Sequence, residues 1–306
     1  MPELPEVQTT VNGLKIKVLN RAFIDVWSDW EKTIKKPNDF KRFKKEIKNK
    51  KIVKVWRRAK NVIFDLRAEP ALNTCPERSR RNAEGYSLLI HQKMTGHLLV
   101  GKWEQVNNKW IPVIKDSPLN DPYNRFIHLL FFLDNGDMMA LSDARKFAKI
   151  ELWKTEELKK ELEKIGPEPL EKSFIFEKFK EIFKNKKGRI KQIIMDPKII
   201  AGIGNIYASE ALWVAKVHPE KNIAKLNDKE LKLLYQAIKK VLELSVKLGG
   251  ESFSDYRKPD GTKGDFDSER KVYKRENQKC HRCGTKIKRI KFGGRSAFFC
   301  PHCQKL

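Results

Sequence analysis

After a helical start, the hydrophobic period changes from strand-like to helical at Gly166-Pro-Glu-Pro-Leu170, and that change constrains the fold more than any other feature. Before it, short runs alternate with turns. Ile52 to Trp56 and Val62 to Leu66 flank a basic tip, Arg57-Arg-Ala-Lys60-Asn61, and Tyr86 to Gln92 and His97 to Trp103 flank Lys93-Met-Thr-Gly96. A strand opening at Arg125 and Phe126 runs to Leu133 and turns at Asp134-Asn-Gly136, the strongest short hairpin signal. After it, Phe174 to Phe183, Lys191 to Met195, Ile206 to Ala215 and Asp228 to Leu248 carry helical spacing, and Gly249-Gly250 stops the last. Strands first and helices afterwards predict an α+β chain: an N-terminal β-sandwich or barrel-like domain with flanking helices, then a helical domain. The expected division of the 306 residues is 1–165, 166–250, a loop and linker over 251–275, and a cysteine-rich module over 276–306.

Two segments fit neither pattern. Residues 67–85 are polar and patternless between two strands, which reads as an inserted surface loop holding Cys75 as a free thiol and Arg78, Arg80 and Arg81 in solvent. Residues 254–268, with Gly261 and Gly264, read as a mobile loop.

The formal charge is +26, from 65 Lys and Arg against 39 Asp and Glu. Such an excess repels itself in a compact fold unless a polyanion is the working partner, and nucleic acid is the natural one. The longest apolar run, Phe126 to Leu133, is interrupted by His128 and too short to cross a bilayer. A cytoplasmic monomer with no membrane partner is expected.

Cys280-x2-Cys283 and Cys300-x2-Cys303, with sixteen residues between the pairs, have the spacing of a four-thiolate zinc site. Two disulfides are the alternative, which a reducing cytosol disfavours. Four sulfur ligands leave no open position, so the zinc is structural and a zinc hydrolase is excluded. His281 and His302 lie inside the knuckles as surface residues. Between the pairs, Lys286, Lys288, Arg289, Lys291 and Gly293-Gly-Arg295 make a basic ribbon suited to DNA, with Arg295 at its tip.

Gly202-Ile-Gly204-Asn205 lacks the third glycine and the preceding strand of a dinucleotide fingerprint. It reads instead as a tight turn into a helix whose N–H groups hold a phosphate. Asn205 caps that helix, contacts the phosphate, or does both. Asp143-Ala-Arg145-Lys146-Phe147 ends a strand as an ordinary edge with one core residue, or wedges a base step with Arg145 filling the vacated stack.

Pro2 follows Met1, and Glu3 follows Pro2. With Met1 removed, Pro2 is a free secondary amine, a nucleophile of a class that titrates near ~7.7–8.0. Its attack on a sugar carbon gives an iminium, a fixed cation and electron sink. The plainer reading is that the prolines start a helix over Leu4 to Leu19.

Taken together these pieces resemble the formamidopyrimidine-DNA glycosylase family over nearly the whole chain, 67–85 excepted. The resemblance is carried by Pro2-Glu-Leu-Pro-Glu6, Lys60 in Arg-Arg-Ala-Lys, Met94 in Lys-Met-Thr-Gly, Arg145-Lys-Phe147, the run from Met195 to Glu210, and the four cysteines. Leu4 resembles the formamidopyrimidine branch; the endonuclease VIII branch usually has glycine there.

The resemblance implies a helix–two-turn–helix domain ending in a zinc-finger β-hairpin, one structural zinc, and double-stranded DNA containing oxidised bases or abasic sites as partner. It implies that Pro2 attacks the deoxyribose C1′ carbon and expels 8-oxoguanine or a formamidopyrimidine. Glu3 then serves as acid and base, and β,δ-elimination cuts the strand. Lys60 contacts the phosphate and lesion region, and Glu6 arranges the active site. Met94, Arg145 and Phe147 fill the gap left by the extruded nucleotide. Lys146, Asn205 and Arg295 hold phosphates and bend the duplex across a cleft between domains, and Lys191 is a further DNA contact. Four positions depart from the family pattern: Gln8, Ala148, Glu251 and Ser254. The competing expectation is a non-catalytic zinc-finger DNA-binding protein on the same scaffold, which has no need of Pro2, Glu3 and Lys60.

Overall fold

The computed structural model describes residues 1–68, 85–252 and 255–306. Within them the chain divides into two compact units: Met1–Pro2, Glu6–Glu163 and Gly249–Gly264 form the first, and Glu3–Pro5, Lys164–Leu248 and Asp265–Leu306 the second.

The first unit is a β-sandwich. One sheet runs β1 (Phe23–Ser28), β9 (Ile127–Leu133), β10 (Met138–Ser142), β6 (His97–Gly101), all antiparallel. The other runs β2 (Ile34–Lys36), β11 (Lys149–Lys154), β5 (Tyr86–His91), β4 (Asn61–Ala68), β3 (Lys50–Arg58), with β2 parallel to β11. Alternate residues of both sheets enter one core: Val62, Phe64 and Leu66 from β4, Leu88 and Ile90 from β5, Leu129, Phe131 and Leu133 from β9. Helix α1 (Leu4–Val18) adds Val7, Val11, Leu14 and Val18, a helical stripe. Helix α2 (Phe40–Ile47) is capped by Asp39, which accepts from Arg42 N at 2.6 Å, and buries only Phe43 and Ile47. The strand predicted over His97 to Trp103 ends at Gly101. Trp103–Val106 then begins a separate hairpin, β7, with β8 (Lys109–Pro112), because Asn107 and Asn108 take φ of 49° and 61°. Helix α3 (Thr155–Leu162) closes this stretch.

The segment expected to be mobile is packed where it is described. Tyr256, Arg257, Pro259 and Gly261 are buried, Val100 N donates to Pro259 O at 2.8 Å, and Arg257 pairs with Asp121 at 3.0 Å. Its polar composition hid an internal ion pair and an edge pairing to β6. Ser254 lies outside the described residues. So does most of the predicted insertion, with Cys75, Arg78, Arg80 and Arg81; its first two residues, Arg67 and Ala68, end β4.

In the second unit α4 (Phe176–Phe183), α5 (Ile190–Ile194), α6 (Asn205–Val214) and α7 (Asp228–Lys247) pack around Phe179, Tyr207, Leu234 and Ile238. A capping box of Asn227 and Glu230 starts α7, and Gly249 and Gly250, at φ 77° and 84°, follow it. The hairpin β12 (Lys288–Phe292) and β13 (Arg295–Phe299) joins a small core of Trp213, Val272, Ile287 and Phe298. Among the described residues no helix is long and apolar enough to cross a membrane.

Candidate active site and nucleic-acid interface

In the second unit the site is organised around Glu3, which is 2% exposed. Its carboxylate accepts from Gly204 N at 2.8 Å, Ile206 N at 3.0 Å and Tyr207 N at 3.4 Å, the first-turn amides of α6. These are orphan donors at the positive end of the helix dipole, where a carboxylate is the favoured partner. Gly204 is extended, so no backbone angle demands glycine there; space does. A Cβ would stand 2.4 Å from the Glu3 carboxylate carbon. Gly202 has φ +82°, and its carbonyl accepts from Leu4 N at 3.0 Å, fixing the turn against the residue after Glu3.

This narrows the expectation that the Gly202–Asn205 turn holds a phosphate on its N–H groups, because Glu3 takes Gly204 N and the next helix amides, Ile206 N and Tyr207 N. Nor does Asn205 cap the helix: Gly204 is the N-cap, no side chain caps it, and Asn205 Oδ1 has no hydrogen-bond partner among the described residues.

Lys191 also differs from a surface DNA contact. It is 2% exposed, and its Nζ donates to Ser209 Oγ and to Ser296 O, both at 2.9 Å, so it ties α5 to α6 and to the hairpin. Burial brings its pKa down to about 7, with Arg295 adding to the fall and Glu3 opposing it. Lys191, Gln192, Asp196, Phe292, Gly293 and Arg295 line a cavity of about 280 Å³. Arg295 itself is exposed, as predicted for the tip of the ribbon.

The sulfurs of Cys280, Cys283, Cys300 and Cys303 all lie within 4.8 Å of one another. Tetrahedral Zn–S bonds of about 2.3 Å put sulfurs about 3.8 Å apart, so the cluster fits one ion. Cys283 and Cys300 are 3.4 Å apart, far beyond a disulfide bond. Arg282 N and Trp213 Nε1 each donate to Cys280 Sγ at 3.4 Å, and Cys303 N donates to Cys300 Sγ at 3.4 Å, the support a thiolate set needs. His281 and His302 are exposed and outside the cluster. The four cysteines hold one structural zinc.

In the first unit Pro2 is buried behind the exposed Met1. Glu6, 1% exposed, accepts from Glu251 N on Oε1 at 2.8 Å, and its carbonyl accepts from Tyr256 Oη at 2.9 Å. It therefore fixes the root of the segment that begins at Gly250, where a Cβ would come within 3.0 Å of Glu6. Lys60 sits in the two-residue turn between β3 and β4 beside Ala59, at φ 53°. Gln8, one of the departures, accepts from Arg57 Nε at 3.0 Å, while Arg57 Nη1 donates to Ala59 O at 2.9 Å and braces that turn.

His91, not singled out from sequence, ends β5 between these tips. Burial, with Lys93 and Lys60 nearby, brings its pKa down to about 3. Its Nδ1 accepts from Lys93 N at 3.0 Å, which leaves the proton of the neutral ring on Nε2. A neutral donor beside cations is a place for an anion. The available signal was its position directly after the apolar run Leu88 to Ile90, two residues before Lys93.

Met94 and Phe147 are 40% and 51% exposed, unusual for such side chains, and Arg145 and Lys146 are exposed with them. The Arg145 guanidinium stacks 4.6 Å from the Phe147 ring, and Lys146 Nζ lies 4.7 Å from the Trp30 ring. The side chain that follows, Ala148, is buried and belongs to the sandwich core.

Three protein-family descriptions match the chain: the formamidopyrimidine-DNA glycosylase N-terminal domain over residues 1–150, its H2TH domain over 165–257, and a zinc finger found in FPG and IleRS over 277–306. The chain is similar to the formamidopyrimidine-DNA glycosylase of Pelotomaculum thermopropionicum, at 35% identity over 308 residues and 100% of each chain. That of Ligilactobacillus salivarius is 35% identical over 306 residues, covering 99% of each. Among solved structures, a Lactococcus lactis FPG variant in complex with Fapy-dG-containing DNA superimposes with TM-score 0.82 at 30% identity, covering 100% of both chains. The Lactococcus lactis Fpg with abasic-site DNA gives 0.79 at 29% identity, over 99% of this chain and 100% of that one. A MutM structure with carbocyclic 8-oxo-G DNA gives 0.81 at 30% identity, covering 100% of both.

Proposed function

The chain belongs to the formamidopyrimidine-DNA glycosylase family, and from that premise we propose a bifunctional DNA glycosylase and abasic-site lyase of base excision repair. Its substrates are oxidised purines, 8-oxoguanine and formamidopyrimidines, in double-stranded DNA, and it works as a cytoplasmic monomer.

Once Met1 is removed, the Pro2 nitrogen attacks C1′ as the C1′–N9 bond breaks. The base leaves with its electron pair and takes up a proton. Ring opening gives an iminium between Pro2 and C1′, which acidifies the C2′ protons. Loss of one expels the 3′-phosphate, and a second elimination expels the 5′-phosphate. Glu3 carries the protons of ring opening and elimination. The observation that carries this reading is the clamp on Glu3: the carboxylate next to the proline nitrogen is fixed by three backbone amides. A carboxylate there also caps the helix, so what a binding protein has no need of is its pairing with a free Pro2 amine.

Met94, Arg145 and Phe147 fill the gap left by the extruded nucleotide. Lys60, Lys146, Asn205 and Arg295 meet phosphates, and Lys191 holds the hairpin that presents Arg295. The zinc keeps that hairpin folded and takes no part in the chemistry.

The test is borohydride trapping on a duplex with 8-oxoguanine opposite cytosine, using untagged protein and Pro2→Gly. A covalent adduct that the variant loses supports the nucleophile. Trapping on an abasic site alone keeps the lyase and removes the oxidised-base assignment. Tight binding with no adduct on either substrate returns the protein to the non-catalytic reading.

A further inference from the structure

We propose that Asp143 is a positioning residue whose buried carboxylate, through Thr95, locks the Met94 turn and the Arg145–Phe147 loop into one block. The inference rests on the reading that Met94, Arg145 and Phe147 enter the base stack together. These three side chains are exposed, so core packing does not set their places; the backbone beneath them does, with the Arg145 guanidinium stacked on Phe147.

That backbone comes from two separate connections, the turn between β5 and β6 and the link from β10 to β11. Asp143 is 1% exposed and Thr95 7%. Asp143 Oδ1 accepts from the Thr95 hydroxyl and, at 3.3 Å, from Arg145 N, while Oδ2 accepts from Ala148 N at 2.7 Å. Thr95 Oγ1 in turn accepts from Arg145 N at 3.1 Å. One carboxylate and one hydroxyl thus hold the amides at both ends of the Arg145–Phe147 loop and the residue next to Met94. The Asp143 backbone is anchored as well: its N–H donates to Phe126 O at 2.8 Å, and its carbonyl accepts from Lys146 N at 3.1 Å.

Among the described residues Asp143 has no ion-pair partner. A carboxylate buried without a cation needs all of its amide and hydroxyl donors. Moving either loop alone breaks at least one of those bonds, so the loops move together or not at all. Filling a gap in the stack with three side chains is then one event with its ordering cost already met, instead of two independent ones.

Thr95→Val removes the bridge between the loops and leaves Asp143 its own loop amides; Thr95→Ser restores the hydroxyl. Single-turnover excision of 8-oxoguanine from duplex should fall roughly 10-fold in Thr95→Val and recover in Thr95→Ser, as expected for misplaced groups away from the chemistry. Gap filling, read by 2-aminopurine fluorescence beside the lesion, should slow by the same factor. Borohydride trapping on a single-stranded abasic oligonucleotide, which has no stack to fill, should stay within about twofold in both variants.

Equal losses on duplex and single strand would make Thr95 merely structural and overturn the proposal, as would wild-type duplex excision by Thr95→Val. Met94→Ala and Phe147→Ala separate the two layers. If they leave duplex excision intact, the gap-filling reading fails and the clamp with it. If they impair excision while Thr95→Val does not, the clamp alone fails.

Discussion

The tips expected to meet DNA in the two units reach left-handed backbone by different means. In the β-sandwich unit Ala59, Lys93 and Lys146 stand at φ 53°, 55° and 57°, whereas the zinc hairpin turns on Gly293 and Gly294 at 56° and 70°. An L-residue in that region costs roughly 1–2 kcal/mol, and glycine costs almost nothing. The strained tips are over-determined by their neighbours: Arg57 holds Ala59 O, His91 holds Lys93 N, and Asp143 O holds Lys146 N. At two of the three the strained residue is a lysine, so a glycine would lose a charge where phosphates are expected. In the hairpin a Cβ at Gly293 would come within 2.3 Å of Gln192 Nε2, so that side chain would have to move, while Gly294 faces open space. Strain is kept where the side chain is useful; glycine is used where Gln192 crowds position 293 and where position 294 has no side chain to present.

The largest effect should come from the crowded glycine whose Cβ would meet the proposed catalytic carboxylate. Gly204→Ala places a methyl on the Glu3 carboxylate, so single-turnover excision should fall by about 10²-fold, the usual consequence of an ångström-scale misplacement. Duplex affinity should stay within about threefold, because no phosphate contact is removed. Wild-type excision by this variant would show that the Glu3 clamp is not needed.

Removing the metal comes next. Structural zinc contributes on the order of 10 kcal/mol to the folding of a small zinc module. Chelation, or Cys300→Ser, should melt the hairpin and weaken duplex binding by at least about 10-fold, by analogy with disturbed metal sites. The thermal transition of the β-sandwich unit should not move. Unchanged affinity and melting after verified metal loss would remove the structural role assigned to the site.

What could be read from the sequence divides along a related line. The zinc set was legible because its ligands are local pairs, and β3, β4, β5 and β9 because alternation is local too. Helix α2 was not, since its two core residues, Phe43 and Ile47, are buried in a run of lysines. The clamp on Glu3 was invisible because its donors lie about 200 residues away. For the same reason the Gly202–Asn205 turn reads as a phosphate site, although Gly204 N and the Ile206 and Tyr207 amides beyond it are spent on Glu3. Lys191 looked like any basic residue until Ser209 and Ser296 were found on its ammonium. Asp143 passed as the end of a strand because Thr95 is 48 residues away. Periodicity names the elements; it does not say which donors the rest of the chain has taken.

The smallest effect is the most direct test of the contrast between the tips. Of these three strained tips Ala59 is the one with no charge to justify it, and the residue is 5% exposed. Ala59→Gly relieves roughly 1 kcal/mol of left-handed strain, but it gives up about 0.8 kcal/mol of methyl burial and adds freedom to the unfolded chain. These nearly cancel, so the melting temperature of the β-sandwich unit should move by no more than about 2 °C. In Gly293→Ala the freedom removed from the unfolded chain offsets only part of the cost. The substitution adds left-handed strain and pushes on Gln192, so the second unit should melt roughly 2–4 °C lower for each kcal/mol lost. If Ala59→Gly destabilises as much as Gly293→Ala, the β3–β4 turn depends on the buried methyl of Ala59, and the division between useful strain and crowding does not hold at Lys60.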